Sequence, residues 1–205
     1  MKHGRKLTGI LTATLVFLLA SPLADAASGR PQAFMTTGSR TSQPIGHYRF
    51  CQRHGSECLS HSVDAHPSRL TKSRWNTLVR VNAKVNHEIR PVTDEELYGQ
   101  EEYWTYPQTA GDCEDYVLLK QYMLERRGFD SSDLLITVVR KPNGEGHAVL
   151  TVRTGDGDYV LDNLANTVKR WDRTHYTYLK RQADGDSGQW VKIDTGHEML
   201  VGSVK

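Results

Sequence analysis

Apolar residues recur at three- and four-residue steps between residues 69 and 89, which predicts an amphipathic helix that ends before Pro91. Residues 93–109 lack this period, and we expect them to form a loop with one short helical turn. Residues 27–44 are rich in Ser, Thr, Gly, Pro and Gln, which is typical of a flexible lead-in. The folded domain is therefore predicted to cover residues 45–205.

A second helix is predicted where apolar residues occupy most of the helical circumference. Asp112 is expected to cap its first turn with the side-chain carboxylate, and Gly128 is expected to stop it after about residue 127. Its polar face is narrow and consists of Lys120, Gln121 and Glu125. Because so few of its positions would face water, this helix is predicted to be central.

Strand-like stretches separated by glycine-containing turns follow the second helix. They are residues 134–140, 147–153 and 159–162, with further strands predicted at 176–180 and 189–193. The turns at 142–144 and 155–157 are short, and short turns join antiparallel neighbours. The predicted fold class is therefore α+β, with helices followed by an antiparallel sheet.

The first 26 residues have the pattern of a signal peptide. Basic residues precede an apolar run over residues 7–20, which is too short to span a bilayer stably. Ala24 and Ala26 are the small residues that a signal peptidase requires, so cleavage after Ala26 is predicted. An uncleaved amino-terminal anchor is the alternative. After cleavage the protein is expected to be periplasmic or secreted, and not an integral membrane protein.

The charge of the chain is nearly balanced. It contains 26 basic and 24 acidic residues, and the predicted leader holds three of the bases and one of the acids. The mature chain is therefore close to neutral, which argues against binding to nucleic acid or to an anionic membrane. About 180 residues remain after cleavage, a length that suits one domain with a substantial core.

The chain has three cysteines, an odd number for an exported protein. Cys51 and Cys58 are close in sequence, and an oxidising compartment favours a disulfide between them. Cys113 is then the free thiol. A lone cysteine is usually a small buried hydrophobic residue, but the residues on both sides of Cys113 are acidic. This setting favours a functional role for Cys113.

Cysteine chemistry requires a thiolate, which a helix amino terminus and a nearby histidine both favour. Cys113 is predicted to lie at such a terminus, and His147 opens one strand while Asp162 ends the next. A carboxylate on the adjacent strand would orient the imidazole. Taken singly, His147 also fits a packed histidine and Asp162 a turn-forming residue. Their joint order predicts a triad of Cys113, His147 and Asp162, as in papain-like and transglutaminase-like thiol enzymes.

Three strings closely resemble the bacterial transglutaminase-like cysteine proteinases: GDCEDY at residues 111–116, HAVL at 147–150 and VLDN at 160–163. The first string is highly specific, whereas the other two would be weak alone. The resemblance extends from about residue 46 to 171. It implies a papain-like or transglutaminase-like α+β fold, in which the nucleophile starts a central helix packed on an antiparallel sheet. Trp104 fits either a wall of the substrate cleft or the core.

By position, the resemblance implies that Cys113 is the nucleophile, His147 the general base and acid, and Asp162 the residue that orients His147. The backbone N–H of Cys113 is the expected oxyanion donor. The resemblance further implies a periplasmic endopeptidase that cleaves exported or surface proteins, such as a large adhesin in a biofilm, and an inner-membrane receptor that regulates it. The alternatives are a non-catalytic binding protein of this fold and a transglutaminase-type acyl transferase.

The resemblance also implies a calcium ion, held by Asp112 and Glu114 with Asp115 as a third ligand. A physical argument agrees, because carboxylates beside a thiol raise its pKa and a cation relieves this repulsion. Calcium prefers oxygen ligands of this kind. The alternative is that Asp112 only caps the helix, while Glu114 and Asp115 favour its positive end.

Overall fold

The structure is a computed structural model that describes Met1, Gly4 and residues 32–59 and 66–194. Apart from Met1 and Gly4, the predicted leader lies outside the described residues, as do residues 27–31 of the predicted lead-in and residues 195–205. The described residues from 32 onward belong to one structural unit. None of the helices in these ranges is long and apolar enough to cross a membrane.

Four α-helices are present in the described ranges: α1 Ile45–Arg53, α2 Lys72–Glu88, α3 Asp94–Tyr98 and α4 Cys113–Glu125. Helices α2 and α4 are the two that the apolar pattern predicts, and α3 is the predicted helical turn. Asp112 occupies the N-cap position of α4, but its side chain makes no capping hydrogen bond. The predicted side-chain cap is therefore wrong, and the carboxylate of Asp112 is available for another contact.

Seven strands form one antiparallel sheet in the order β1-β9-β8-β4-β5-β6-β7. They are β1 Thr36–Thr41, β4 Leu134–Arg140, β5 Gly146–Thr154, β6 Gly157–Asp162, β7 Ala165–Arg170, β8 Thr177–Ala183 and β9 Asp186–Asp194. A separate parallel pair joins β2 Arg90–Pro91 to β3 Ala110–Gly111. The α+β fold class predicted from the sequence is confirmed.

The two edge strands of the large sheet were missed by the sequence pattern. Residues predicted as part of the flexible lead-in form β1, which pairs with β9, and β7 pairs with β6 at the opposite edge. Most side chains of both strands are exposed or only partly buried, so neither strand has an apolar period. Main-chain hydrogen bonds hold these strands, and such bonds leave little trace in the pattern of side chains.

Helices α2 and α4 pack against one face of the sheet and enclose the main core. That core includes Leu78 of α2, Leu118 of α4 and Leu150 of β5, while Val149 and Val160 face a smaller apolar cluster on the other side of the sheet. Strand β5 is thus buried on both faces. The first residues of α4 lie against the start of β5. This arrangement positions the predicted catalytic residues.

The polar face predicted for α4 is wrong at Lys120. This side chain is fully buried, and its Nζ has no hydrogen-bond partner in the described part of the chain. Nζ lies 5.7 Å from the ring centroid of Tyr116, and burial lowers the pKa of Lys120 to about 7, against the opposing charge of Asp162. In contrast, Tyr122 is exposed. The buried face of helix α4 therefore includes Lys120.

Candidate active site

His147 and Asp162 are in direct contact at one end of the sheet. His147 is the second residue of β5 and Asp162 the last residue of β6, and His147 Nε2 lies 2.9 Å from Asp162 Oδ1. Both side chains are buried. Because Nε2 is engaged by the carboxylate, Nδ1 is the ring nitrogen left for exchange of a proton with a nucleophile.

Asp162 has further hydrogen bonds that fix its carboxylate. The Tyr176 hydroxyl donates to Oδ2 at 2.6 Å, and the Leu164 N–H donates to Oδ1 at 2.9 Å. Burial opposes the charged form, but the hydrogen bonds from His147, Tyr176 and Leu164 outweigh it and lower the pKa of Asp162. The carboxylate is therefore ionised at neutral pH, as a residue that orients a histidine must be.

Helix α2 holds the turn that follows Asp162. The Asn86 side chain donates to the carbonyl oxygen of Asp162 at 2.8 Å, and the Asn82 side chain donates to that of Ala165 at 2.8 Å. These two asparagines lie one helical turn apart and face the β6–β7 connection. They fix the backbone on which the Asp162 carboxylate is placed.

Cys113 begins α4 and lies next to the first residues of β5. Its Sγ accepts a hydrogen bond from the Ala148 N–H at 3.4 Å and donates one to Glu114 Oε2 at 3.0 Å. Burial raises the pKa of the Cys113 thiol well above its usual value, and the Glu114 carboxylate raises it further. Burial and this carboxylate thus both favour the protonated thiol, which is the difficulty expected from the acidic neighbours.

Two cavities meet at Cys113 and His147. One, of about 550 Å³, has apolar walls that include Ile45, Trp104 and Val138. The other, of about 290 Å³, is lined by more polar residues. Gly146 also lines both. The structure therefore places two of the predicted triad residues at the centre of a cleft, with Asp162 behind His147.

Trp104 both belongs to the core and lines the larger cavity. Its indole is buried, its Nε1 donates to Glu102 at 2.9 Å, and its carbonyl oxygen accepts from the Arg53 guanidinium at 2.7 Å. Arg53 is in α1, the helix that the predicted Cys51–Cys58 disulfide joins to the following turn, and this disulfide is present in the structure. The disulfide-linked segment therefore supports one wall of the cleft.

Three carboxylates cluster beside the nucleophile. One carboxylate oxygen each from Asp94, Asp112 and Glu114 lies within 4.8 Å of the other two. Burial raises the pKa of all three groups, and the charge of Asp112 raises the pKa values of Asp94 and Glu114 further. Without a cation these groups therefore resist ionisation together.

Asp115, the predicted third ligand, lies outside this set of three oxygens but next to it. Its Oδ1 accepts the Thr105 N–H at 2.8 Å, and a Cβ on Gly111 would come within 2.5 Å of its Oδ2. That Oδ2 is buried and has no hydrogen-bond partner in the described part of the chain, and burial, with the charges of Asp112 and Asp94, raises the pKa of Asp115 to about 8. Asp94, from α3, is therefore a further carboxylate that the sequence did not predict, and Asp115 as a ligand stays a prediction.

Two residues that the sequence did not mark, Asp94 and Tyr176, contact the predicted site. Asp94 lies in a short helix with several acidic residues in its first turn, where carboxylates are favourable in any helix. Tyr176 was noted only as the start of a predicted strand. Neither position has a local signal of function, because each reaches the site through the tertiary fold.

The fold and this site define a cysteine protease with a transglutaminase-like arrangement, in which the thiol starts a central helix beside an antiparallel sheet. Residues 37–198 match the profile of the bacterial transglutaminase-like cysteine proteinase (BTLCP) family. The chain belongs to this family, and it is a cysteine peptidase. A comparison with curated protein sequences gave no match.

Solved structures with a similar fold include two of LapG. Calcium-bound LapG from Legionella pneumophila superimposes with a TM-score of 0.51 at 21% sequence identity, covering 73% of this chain and 81% of that one. A second structure of Legionella pneumophila LapG gives a TM-score of 0.50 at 22% identity, covering 73% of this chain and 80% of that one. At this level of identity the likeness establishes the fold alone.

Proposed function

We propose that this cysteine protease is a periplasmic, calcium-dependent endopeptidase that acts through Cys113, His147 and Asp162. The observation that carries the proposal is the buried His147–Asp162 pair, 2.9 Å apart, behind a cleft that Cys113 and His147 both line. Its substrate is an exported or surface protein such as a large adhesin, and an inner-membrane receptor regulates it. The family and the amino-terminal leader pattern support these assignments.

In the proposed mechanism, His147 Nδ1 accepts the thiol proton and Cys113 Sγ attacks the scissile carbonyl carbon. The new carbon–sulfur bond gives a tetrahedral oxyanion, which the Cys113 N–H at the start of α4 stabilises. His147 then protonates the leaving amine as the carbon–nitrogen bond breaks. Water hydrolyses the remaining thioester, and Cys113 recovers its proton. Asp162 holds the imidazole and stabilises its charged form throughout.

The carboxylate cluster fits a calcium ion. Asp94 Oδ1 and Asp112 Oδ1 are buried, and neither has a hydrogen-bond partner in the described part of the chain. Calcium prefers oxygen ligands, and the donors available from Asp94, Asp112 and Glu114 are carboxylate oxygens. When bound, calcium would supply positive charge to this cluster. Glu114 would then bind the cation and also accept the hydrogen bond from the Cys113 thiol.

The proposed function predicts that iodoacetamide alkylates Cys113 selectively, because the cysteine pair is oxidised. Replacing His147 with alanine removes the base, and we expect alkylation at neutral pH to slow about a hundredfold. The rate is measured by peptide mass spectrometry of the mature protein with calcium present. The matched control is His175→Ala, since His175 is exposed and forms no hydrogen bond or ring contact with His147 or Cys113 in the described part of the chain.

An equal rate in the His147→Ala and unsubstituted proteins would contradict the role of His147. A disulfide between Cys113 and either Cys51 or Cys58 in the mature protein would contradict the role of Cys113. Both results are read from the same peptide map, so one experiment tests the base and the nucleophile.

Calcium is expected to raise the thermal stability of the protein, because an ion that binds the folded chain shifts the unfolding equilibrium. At one hundred times the dissociation constant the gain is about 2.7 kcal/mol. Asp94→Asn removes a ligand charge, so the apparent affinity for calcium should fall at least about tenfold. The gain in stability at a given calcium concentration should be smaller for this reason. Thermal denaturation across a calcium titration, with EGTA as the zero point, gives both quantities.

Glu95→Gln is the matched control for the calcium titration. Glu95 lies beside Asp94 in α3 but is exposed, and it is not one of the three clustered carboxylates. Its titration curve should follow that of the unsubstituted protein. A melting temperature that is independent of calcium, or an equal loss in the two variants, would contradict the proposed site.

A further inference from the structure

The first residues of β5 extend beyond their partner strand β6. Pairing between the two strands ends at Leu150 opposite Leu161. The segment from Gly146 to Val149 lies past this pair, at the end of the sheet where Cys113 is located. Among the described residues, no strand pairs with this segment on its β6 side.

The β4–β5 hairpin determines where the main-chain groups of Gly146 point. The Lys141 N–H donates to the Glu145 carbonyl at 2.8 Å, so these opposing residues form a hydrogen-bonded pair. Hydrogen-bonded and non-hydrogen-bonded pairs alternate along an antiparallel ladder. The next pair, Arg140 opposite Gly146, is therefore not hydrogen-bonded. It follows that the N–H and C=O of Gly146 point away from β4.

Ala148 gives an independent check of this direction. It lies two residues after Gly146, so its main-chain groups point to the same side of the strand. The Ala148 N–H does contact Cys113 Sγ, at 3.4 Å. The groups of Gly146 therefore face the same cleft, about 7 Å further along the strand. This position agrees with the presence of Gly146 in the lining of both cavities.

Packing within the protein does not require glycine at position 146. The residue is exposed, and a Cβ built on it would have no atom within 4 Å. Its backbone is not in the left-handed region that favours glycine. The space on the side-chain face of Gly146 is therefore open, and it adjoins both cavities.

We propose that the N–H and C=O of Gly146 bind the main chain of an extended peptide substrate, which adds to the free edge of β5. This inference rests on the proposed endopeptidase function and specifies how the substrate binds. The peptide residue that pairs with Gly146 lies about two positions from the scissile carbonyl, because Ala148 marks the position of Sγ. The substrate class is an unfolded, extended segment of a protein, since a helical segment has no free main-chain groups to pair.

Acetyl-Ala-Ala-Ala chloromethyl ketone is the probe that tests this proposal, because its side chains are minimal and its main chain is complete. Gly146→Pro removes the N–H that would donate to the peptide. Proline is tolerated at the first residue of a strand, and this N–H has no bond to β4. We expect the ratio of the labelling rate of Cys113 by this reagent to that by iodoacetamide to fall about tenfold or more. The matched control is Gly146→Ala, which keeps the N–H and adds a Cβ that has no atom within 4 Å.

A set of reagents, each with a single N-methyl group, separates hydrogen bonding from steric exclusion. In the unsubstituted protein, methylation at one alanine should slow labelling more than methylation at the others. In Gly146→Pro this difference should shrink, because the pairing at Gly146 is already broken. Equal rates for all N-methyl reagents, or an equal fall of the rate ratio in Gly146→Ala, would overturn the proposal.

Separate measurements distinguish a wrong assignment of the nucleophile from a wrong assignment of the docking site. If iodoacetamide does not label Cys113, the proposed function is contradicted, and docking is then measured in Cys113→Ala by NMR. Acetyl-Ala-Ala-Ala amide should shift the Gly146 amide resonance and leave that of Gly155 in place. An unmoved Gly146 resonance at a saturating concentration of the peptide would overturn the docking site.

Discussion

Substitution of Cys113 by alanine is expected to slow proteolysis by at least about 10⁴-fold, because it removes the thiol that attacks the scissile carbonyl and forms the acyl-enzyme. The substitution removes one sulfur atom and its hydrogen bonds to Ala148 and Glu114. The fold should survive, since the helix start and the sheet do not depend on these bonds. The measurement is a mass-spectrometric screen for new amino termini in exported proteins incubated with each form of the enzyme.

Cuts that persist with the Cys113→Ala protein would contradict the role of Cys113, provided that the two proteins melt at similar temperatures. Mass spectrometry of the new carboxyl termini in the same digests separates hydrolysis from acyl transfer. Hydrolysis leaves a free carboxyl terminus at each cut, whereas transfer to an added primary amine leaves an amide. Amide products in the presence of glycine methyl ester would favour the transferase alternative.

The second large effect is expected at Asp162. Asp162→Ala removes the acceptor that fixes His147 Nε2, and we expect kcat/KM for a cleaved peptide to fall about a thousandfold. Asp162→Asn keeps an oxygen acceptor of the same size and should recover part of this loss. The difference in kcat/KM between the two variants measures the contribution of the negative charge. The pH profile of each variant should also shift, because the imidazole is no longer paired with that charge.

Asp162→Ala also leaves the Tyr176 hydroxyl and the Leu164 N–H without their acceptor. Because both groups are only partly buried, the cost should be below the about 1–3 kcal/mol of a fully buried group. Tyr176→Phe is therefore the graded companion variant. It removes one hydrogen bond to Oδ2 but leaves the His147 contact, so its effect on kcat/KM should be about tenfold or less. Equal activity of Asp162→Ala and the unsubstituted protein would show that His147 needs no carboxylate.

Much of the fold was predictable because buried helices and strands have apolar residues at regular intervals along the sequence. Helix α2 and strand β4 have nearly the boundaries that the pattern predicts, since both pack into the core and must alternate accordingly. Strands β1 and β7 were missed because they are edges with few buried side chains. Lys120 was assigned to the wrong face because charge alone suggested exposure, whereas α4 is enclosed between α2 and the sheet.

The contact between His147 and Asp162 agrees with the prediction from chain order, because an antiparallel hairpin brings the start of one strand near the end of the next. The disulfide was predictable for a similar reason, since its cysteines are only seven residues apart. Local order was thus sufficient wherever the interacting residues belong to adjacent elements. The catalytic roles of Cys113, His147 and Asp162 remain to be measured by the substitutions above.

The three-dimensional structure decided the features that depend on distant segments or on the main chain. Asp94 reaches Asp112 and Glu114 from another helix, and Asp115 accepts a hydrogen bond from the Thr105 N–H. No side-chain pattern shows this arrangement, because it depends on how a loop packs against α4. The cleft-facing groups of Gly146 are likewise invisible in the sequence: every residue carries the same amide, and only strand register determines which amide is left free.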